Sequence, residues 1–139
     1  MKKILCFIYI DGLIIPGGAN NEQRPELTEL IQKLNNDGKL LAAICAGPQY
    51  LARASVLANR QYTTTLTREA NEIIFSSSSY PFTNGTYVES NVVRDHNIIT
   101  AKGGAFVDFA TEICDYFGQF KNSSEKLQMA QHYKGMQEQ

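Results

Sequence analysis

The chain has 139 residues, 43% of them hydrophobic, and a formal net charge of −1 with acids and bases intermixed. That is enough apolar matter for one core and a single domain over residues 1–139, and too little charge bias for a nucleic-acid or polyanion partner. No run approaches the roughly 20 apolar residues that span a bilayer, and three cysteines at no metal-ligand spacing, Cys6, Cys45 and Cys114, fit a reducing cytoplasm.

Residues 4–10 are an apolar run after Met-Lys-Lys. Asp11-Gly12 interrupts the run and no small-residue cleavage site follows, so it reads as a first core strand and not as a signal peptide. Residues 13–15 are a second strand candidate, ended by Pro16-Gly17-Gly18. The two lie almost end to end. Parallel pairing needs a crossover of about a dozen residues or more, which is not there, while Asp11-Gly12 taken at face value is a hairpin signal. The glycine pair permits a turn that larger residues resist and leaves amide N–H groups uncovered.

A helix is signalled from Arg24. Pro25 takes its first position, Glu26 its first turn, Leu27, Leu30, Ile31 and Leu34 share a face, and Gly38 is the stop. Arg24 itself reads as a solvated charge at the helix start more readily than as an anion ligand. Residues 40–44 are all apolar, as in a strand covered on both faces of a parallel sheet, so a βαβ unit is complete. Tyr50, Leu51, Ala54 and Leu57 then recur at helical spacing.

Further on, the threonine-rich residues 61–66 suit a strand, and residues 67–75 a short helix capped by Thr67. Residues 76–79 read as a loop. Residues 86–93 and 98–101 flank Arg94-Asp-His-Asn97 and predict a hairpin. Gly103-Gly104 reads as a strand-to-helix turn, since the full glycine fingerprint of a phosphate loop is missing. Residues 105–117 return to helix with Phe106, Phe109, Ala110, Ile113 and Phe117 on its core face, and a terminal helix is hinted at by Leu127, Met129, Ala130, Tyr133 and Met136. His96, in the hairpin turn, and His132, in the polar tail, read as solvated; Cys6 and Cys114 read as inert core.

Cys45 stands at the junction of the buried strand and the following helix. Ala43 lies two residues before it, Ala46 one after and Gly47 two after. Small residues around a nucleophile mark a nucleophile elbow, where the backbone bends so tightly that larger side chains would collide with the neighbouring strand. The elbow exposes the sulfur at the carboxyl edge of the sheet and sets it against the electropositive end of a helix. A lone cysteine in an apolar run is otherwise packing.

Three stretches carry a resemblance: Asp11-Gly-Leu-Ile-Ile-Pro-Gly-Gly18, Ala43-Ile-Cys-Ala-Gly-Pro-Gln49 and Val93-Arg-Asp-His-Asn-Ile-Ile-Thr-Ala-Lys-Gly103. In order and rough spacing they resemble the ThiJ/PfpI superfamily of the class I glutamine amidotransferase-like fold, the relatives of the parkinsonism-associated deglycase and intracellular protease I. The likeness runs from Asp11 to Phe117. It implies an α/β fold, a flavodoxin-like parallel-sheet sandwich with helices on both faces, usually dimeric. It also implies that Cys45 is the reactive residue, with backbone N–H groups of Gly18 and Ala46 as oxyanion donors. Such donors are worth roughly 3 kcal/mol of barrier each.

Two departures shape the functional expectation. Ala46 stands where many members with proposed peptidase activity have a histidine, the base of a cysteine hydrolase. Asn84 stands where others place a late histidine; it can hydrogen-bond but cannot shuttle a proton near pH 7. A protease is therefore disfavoured. Members also carry a helix, a strand and turns before the Pro-Gly-Gly strand, including an acid that hydrogen-bonds the cysteine. Here Tyr9 runs directly into Ile10, so a segment of about 30 residues or more, the size of a βαβ piece, is expected to be missing between them. The leading expectation is a homodimeric cytoplasmic enzyme without metal or organic cofactor, acting on small reactive carbonyls, as a glyoxalase or deglycase does, or on an amide bond. The alternative is a non-catalytic oxidative-stress sensor using reversible oxidation of Cys45.

Overall fold

A computed structural model describes residues 10–76 and 79–137. Residues 4–9 of the predicted first strand, Cys6 included, and the centre of the 76–79 loop lie outside the described residues. The order is β1 (Gly12–Ile15), α1 (Pro25–Asn36), β2 (Leu40–Ile44), α2 (Pro48–Arg53), β3 (Gln61–Tyr62), α3 (Arg68–Ile74), β4 (Thr86–Tyr87), β5 (Val92–Asp95), β6 (Ile98–Ala101), α4 (Phe106–Tyr116) and α5 (Ser123–Gln137). No helix among the described residues is long and apolar enough to cross a membrane.

The main sheet has the order β1-β2-β6-β5, with β1 and β6 parallel to β2 and β5 antiparallel to β6. Gly12 therefore starts a strand that pairs in parallel with β2. β2 is central because it is apolar throughout, and its side chains divide by the two-residue period of a strand. Leu41 and Ala43 join Ile31 and Leu34 of α1, Leu51 of α2 and Ile98. Leu40 and Ala42 join Ile99, Ala101 and Phe109 of α4 on the opposite face. Helices cover both faces, as the flavodoxin-like expectation requires.

Local signals explain how β2 is launched. Gly38 has φ +69°, its N–H donates to Asn35 O at 3.0 Å and the Lys39 N–H donates to Leu34 O at 2.8 Å. This is a Schellman ending, and the left-handed residue it needs is most easily glycine. The hairpin β5–β6 forms as predicted, and the Asn97 amide in its turn donates to Lys39 O at 2.9 Å and to Asn35 Oδ1 at 3.0 Å. β1 pairs only with β2 among the described residues, and Ile14 on it is 55% exposed.

Several expectations need correction. The strand over 61–66 stops at Tyr62, because the next residues bond to side chains and to the cysteine turn. Thr63 N donates to Thr100 Oγ1, and Thr64 Oγ1 and Thr65 N both donate to Cys45 O. The strand over 86–93 divides: β4 pairs in parallel with β3, and β5 with β6. α2 ends at Arg53, short of Leu57, which is buried all the same. On α4 the buried residues are Val107, Phe109 and Thr111, whereas Phe106 and Phe117 are exposed. Thr67 caps α3 as predicted, accepting from Ala70 N at 3.0 Å.

Asp95 ties the two sheets together. Its carboxylate accepts from Gln61 N at 2.8 Å and lies 2.6 Å from His96 Nδ1, while Arg60 donates to its carbonyl at 3.0 Å. The Gln61 amide first, and His96 second, hold the carboxyl below the usual aspartate range. A lowered carboxylate stabilises the fold fully above the unfolded value of about 3.9 and loses that contribution as pH falls through the folded value. The wild type is therefore expected to lose stability over this acid range more steeply than Asp95→Asn, measured by urea unfolding as a function of pH; parallel curves would contradict the role given to Asp95.

The turn after β2 carries the sharpest steric constraint. A Cβ on Gly47 would lie 2.5 Å from Ile15 O, 2.9 Å from Ile44 O and 3.1 Å from Pro16 O. Gly47→Ala is expected to lower the unfolding free energy by about 2 kcal/mol or more, and an unchanged urea midpoint would contradict the turn as described.

Candidate functional site

Cys45 follows the last residue of β2 and has φ +64°, a backbone region that costs a non-glycine residue on the order of 1 kcal/mol or more. The conformation is held from both sides. Cys45 N donates to Ala101 O at 2.9 Å, and Cys45 O accepts from Thr64 Oγ1 at 2.9 Å and Thr65 N at 3.1 Å. Gly47 N closes the turn onto Ile44 O at 2.8 Å before Pro48 opens α2. The half-buried Cys45 thus stands at the carboxyl end of β2.

Two glycines wall the sulfur. A Cβ on Gly17 would lie 2.7 Å from Cys45 Cβ and 3.1 Å from both Sγ and Ala46 N, and a Cβ on Gly103 would lie 3.2 Å from Sγ. Gly103 is itself fixed, its N–H donating to Thr65 Oγ1 at 2.9 Å. The Pro16–Gly18 turn therefore lies directly against Cys45 and Ala46. Gly18 has φ +147°, and neither its N–H nor that of Ala46 donates a hydrogen bond among the described residues. Gly18 is exposed and Ala46 buried. No side chain among the described residues hydrogen-bonds Cys45 Sγ, so no base or acid is in place on it.

The structure does not bring Asn84 to this site. It lies on an exposed turn whose next residue, Gly85, packs against Leu57 O and Arg60 O where β3 begins; Cys45 adjoins the residues that follow β3. His96 sits in the β5–β6 turn, at the other end of β6 from Ala101, and His132 is exposed on α5. Arg24 is exposed and paired with Glu22 at 3.2 Å, a helix-start charge as read from sequence. Cys114 is half-buried on α4 and not in the core interior as expected.

Sequence reasoning missed the second wall and its support. From sequence Gly103 reads only as a turn glycine, and Thr64 and Thr65 only as strand. The one available signal was that Gly103 closes the third motif stretch. Beside Gly103, Lys102 pairs with Glu89, which also accepts from Tyr87 OH at 2.9 Å. The contact with Lys102, seconded by Tyr87, lowers the Glu89 carboxyl, and Glu89 raises the Lys102 ammonium.

The DJ-1/PfpI family profile matches residues 7–116. Among curated relatives, protein dj-1beta of Drosophila melanogaster is 28% identical over 111 residues, which cover 76% of this chain and 54% of that one. A glutathione-independent glyoxalase of Caenorhabditis elegans is 30% identical over 109 residues, with the same coverage. A deglycase of Thermococcus kodakarensis is 41% identical over 64 residues, 41% of this chain and 36% of that one. The chain thus spans about half the length of the curated relatives it matches, or less. Among solved structures, a DJ-1 superfamily protein of Agrobacterium tumefaciens superposes with a TM-score of 0.71 at 27% identity, over 92% of this chain and 66% of that one. With a matching profile over most of its length, the chain belongs to the DJ-1/PfpI family.

Proposed function

We propose that Cys45 is a nucleophile acting on small reactive carbonyls, in the manner of a glyoxalase or deglycase, and that Gly18 and Ala46 N–H receive the developing oxyanion. The observation that carries this reading is the sulfur held at a positive-φ turn between Gly17 and Gly103, with the following amides of both turns, Gly18 and Ala46, donating no hydrogen bond among the described residues. The sulfur adds to the aldehyde carbon, the π pair moves to oxygen, and the amides hold the charge until it is protonated. Oriented donors at such a point lower the barrier because they need no reorganisation as charge develops. The names of the nematode glyoxalase and the archaeal deglycase support the substrate class. No metal or organic cofactor enters this step, and an amide substrate is less favoured because Ala46 offers no base.

One observation favours a second reading. Cys45 Sγ has no hydrogen-bonded acid or base among the described residues, which suits a sensor oxidised by peroxide to sulfenic acid with release of water. We infer that the acid expected from the resemblance belongs to a segment between Tyr9 and Ile10 in the natural chain, and the outer edge of β1, unpaired among the described residues, supports this. An intact mass of the natural protein equal to the 15.5 kDa of this sequence would refute that inference.

Methylglyoxal turnover by the native protein is expected to fall at least about a hundred-fold in Cys45→Ala, as when an enzyme loses its nucleophile. Turnover unaffected by that substitution would sink the proposal. No turnover, with peroxide-dependent oxygen addition confined to Cys45 by peptide mass mapping, would favour the sensor instead.

A further inference from the structure

Beside the cysteine turn lies an open cleft of about 310 Å³ whose lining includes Thr64, Arg68, Glu69, Tyr80, Tyr87 and Glu89. Two contacts relate it to the cysteine turn. Thr64, on its wall, donates to Cys45 O. Glu89, on its rim, pairs with Lys102, the neighbour of Gly103, and Gly103 lies against Cys45 Sγ. A volume near 300 Å³ is at the small end of ligand sites.

Charge in the cleft is unevenly committed. Glu89 is held by Lys102 and Tyr87. Arg68 is not paired with any carboxylate among the described residues; its guanidinium carbon stands 4.6 Å over the Tyr80 ring. That ring is fixed in turn, its hydroxyl donating to Leu66 O at 2.9 Å and its edge packed on Phe82. A guanidinium over an aromatic ring keeps N–H donors, which can take a carboxylate through two parallel bonds.

We propose that this cleft binds a carboxylate of the substrate, with Arg68 as the ligand, while the carbonyl carbon of the same molecule meets Cys45. The inference rests on Cys45 being the nucleophile and narrows its substrates to carbonyl compounds that carry an acid group at a distance from the reacting carbon. Glu69 and Glu89, both in the lining, then disfavour a second anionic group.

The test uses alkylation of Cys45, which needs no knowledge of the physiological substrate. Native protein is treated with 6-maleimidohexanoate or with its uncharged N-methylamide, each rate being divided by that of 2-mercaptoethanol, and peptide mass mapping separates Cys45 from Cys6 and Cys114. The anionic reagent is expected to react about three-fold faster, the size of an exposed carboxylate–guanidinium contact, and the preference is expected to shrink with added salt. Arg68→Gln should abolish the preference without changing the rate of the neutral reagent, and Arg68→Lys should keep part of it. Equal rates in the wild type, or a preference that survives Arg68→Gln, would overturn the carboxylate site and leave Cys45 as nucleophile standing. If both reagents react with Cys45 no faster than with 2-mercaptoethanol, the nucleophile fails and this inference falls with it.

Discussion

A backbone turn taken by a side-chain-bearing residue in the left-handed region governs the arrangement of this molecule. Cys45 can hold φ +64° because its N–H is committed to Ala101 and its C=O to Thr64 and Thr65. Those partners come from two distant parts of the chain, so the turn joins the end of β6 and the segment after β3 to the start of α2. The space around it is obtained by omission of side chains: Gly17 and Gly103 beside the sulfur, Gly47 against Ile15 O. Strain concentrated at one residue and over-determined by its surroundings is what a pre-oriented nucleophile requires.

The apolar division of β2 serves the same turn. Leu41 and Ala43 on one face, and Leu40 and Ala42 on the other, fix the strand between two helical layers. A register slip of one residue would exchange the two faces and move Cys45 off the sheet edge. Placement of the thiol is thus a consequence of core packing and not of any polar contact to the sulfur.

Much of this was legible in the residues. Pro25 and Gly38 bracket α1 to within two residues of Gly38, and the run of apolar residues before Cys45 gives β2, because proline, glycine and burial on both faces act locally. What was not legible depends on distant chain. The threonines at 63–65 look like strand by propensity, yet their hydrogen bonds go to Thr100 and Cys45, partners far from them in sequence. Phe106 and Phe117 share a helical face with Phe109, yet only Phe109 meets the sheet. Asn84 was placed at the site by motif position alone, and the path of β4 takes it to the opposite end of β3. Gly103 carries a role at the thiol that its spacing to Cys45 could not reveal.

Reactivity of Cys45 is the claim on which the functional account stands. The most direct measurement is its rate of alkylation by iodoacetamide at pH 7, resolved from Cys6 and Cys114 by peptide mass mapping and compared with a free thiol in the same buffer. The account predicts a rate above that of the free thiol, confined to Cys45. A rate at or below it would contradict the account and leave Cys45 as a packing residue at a tight turn.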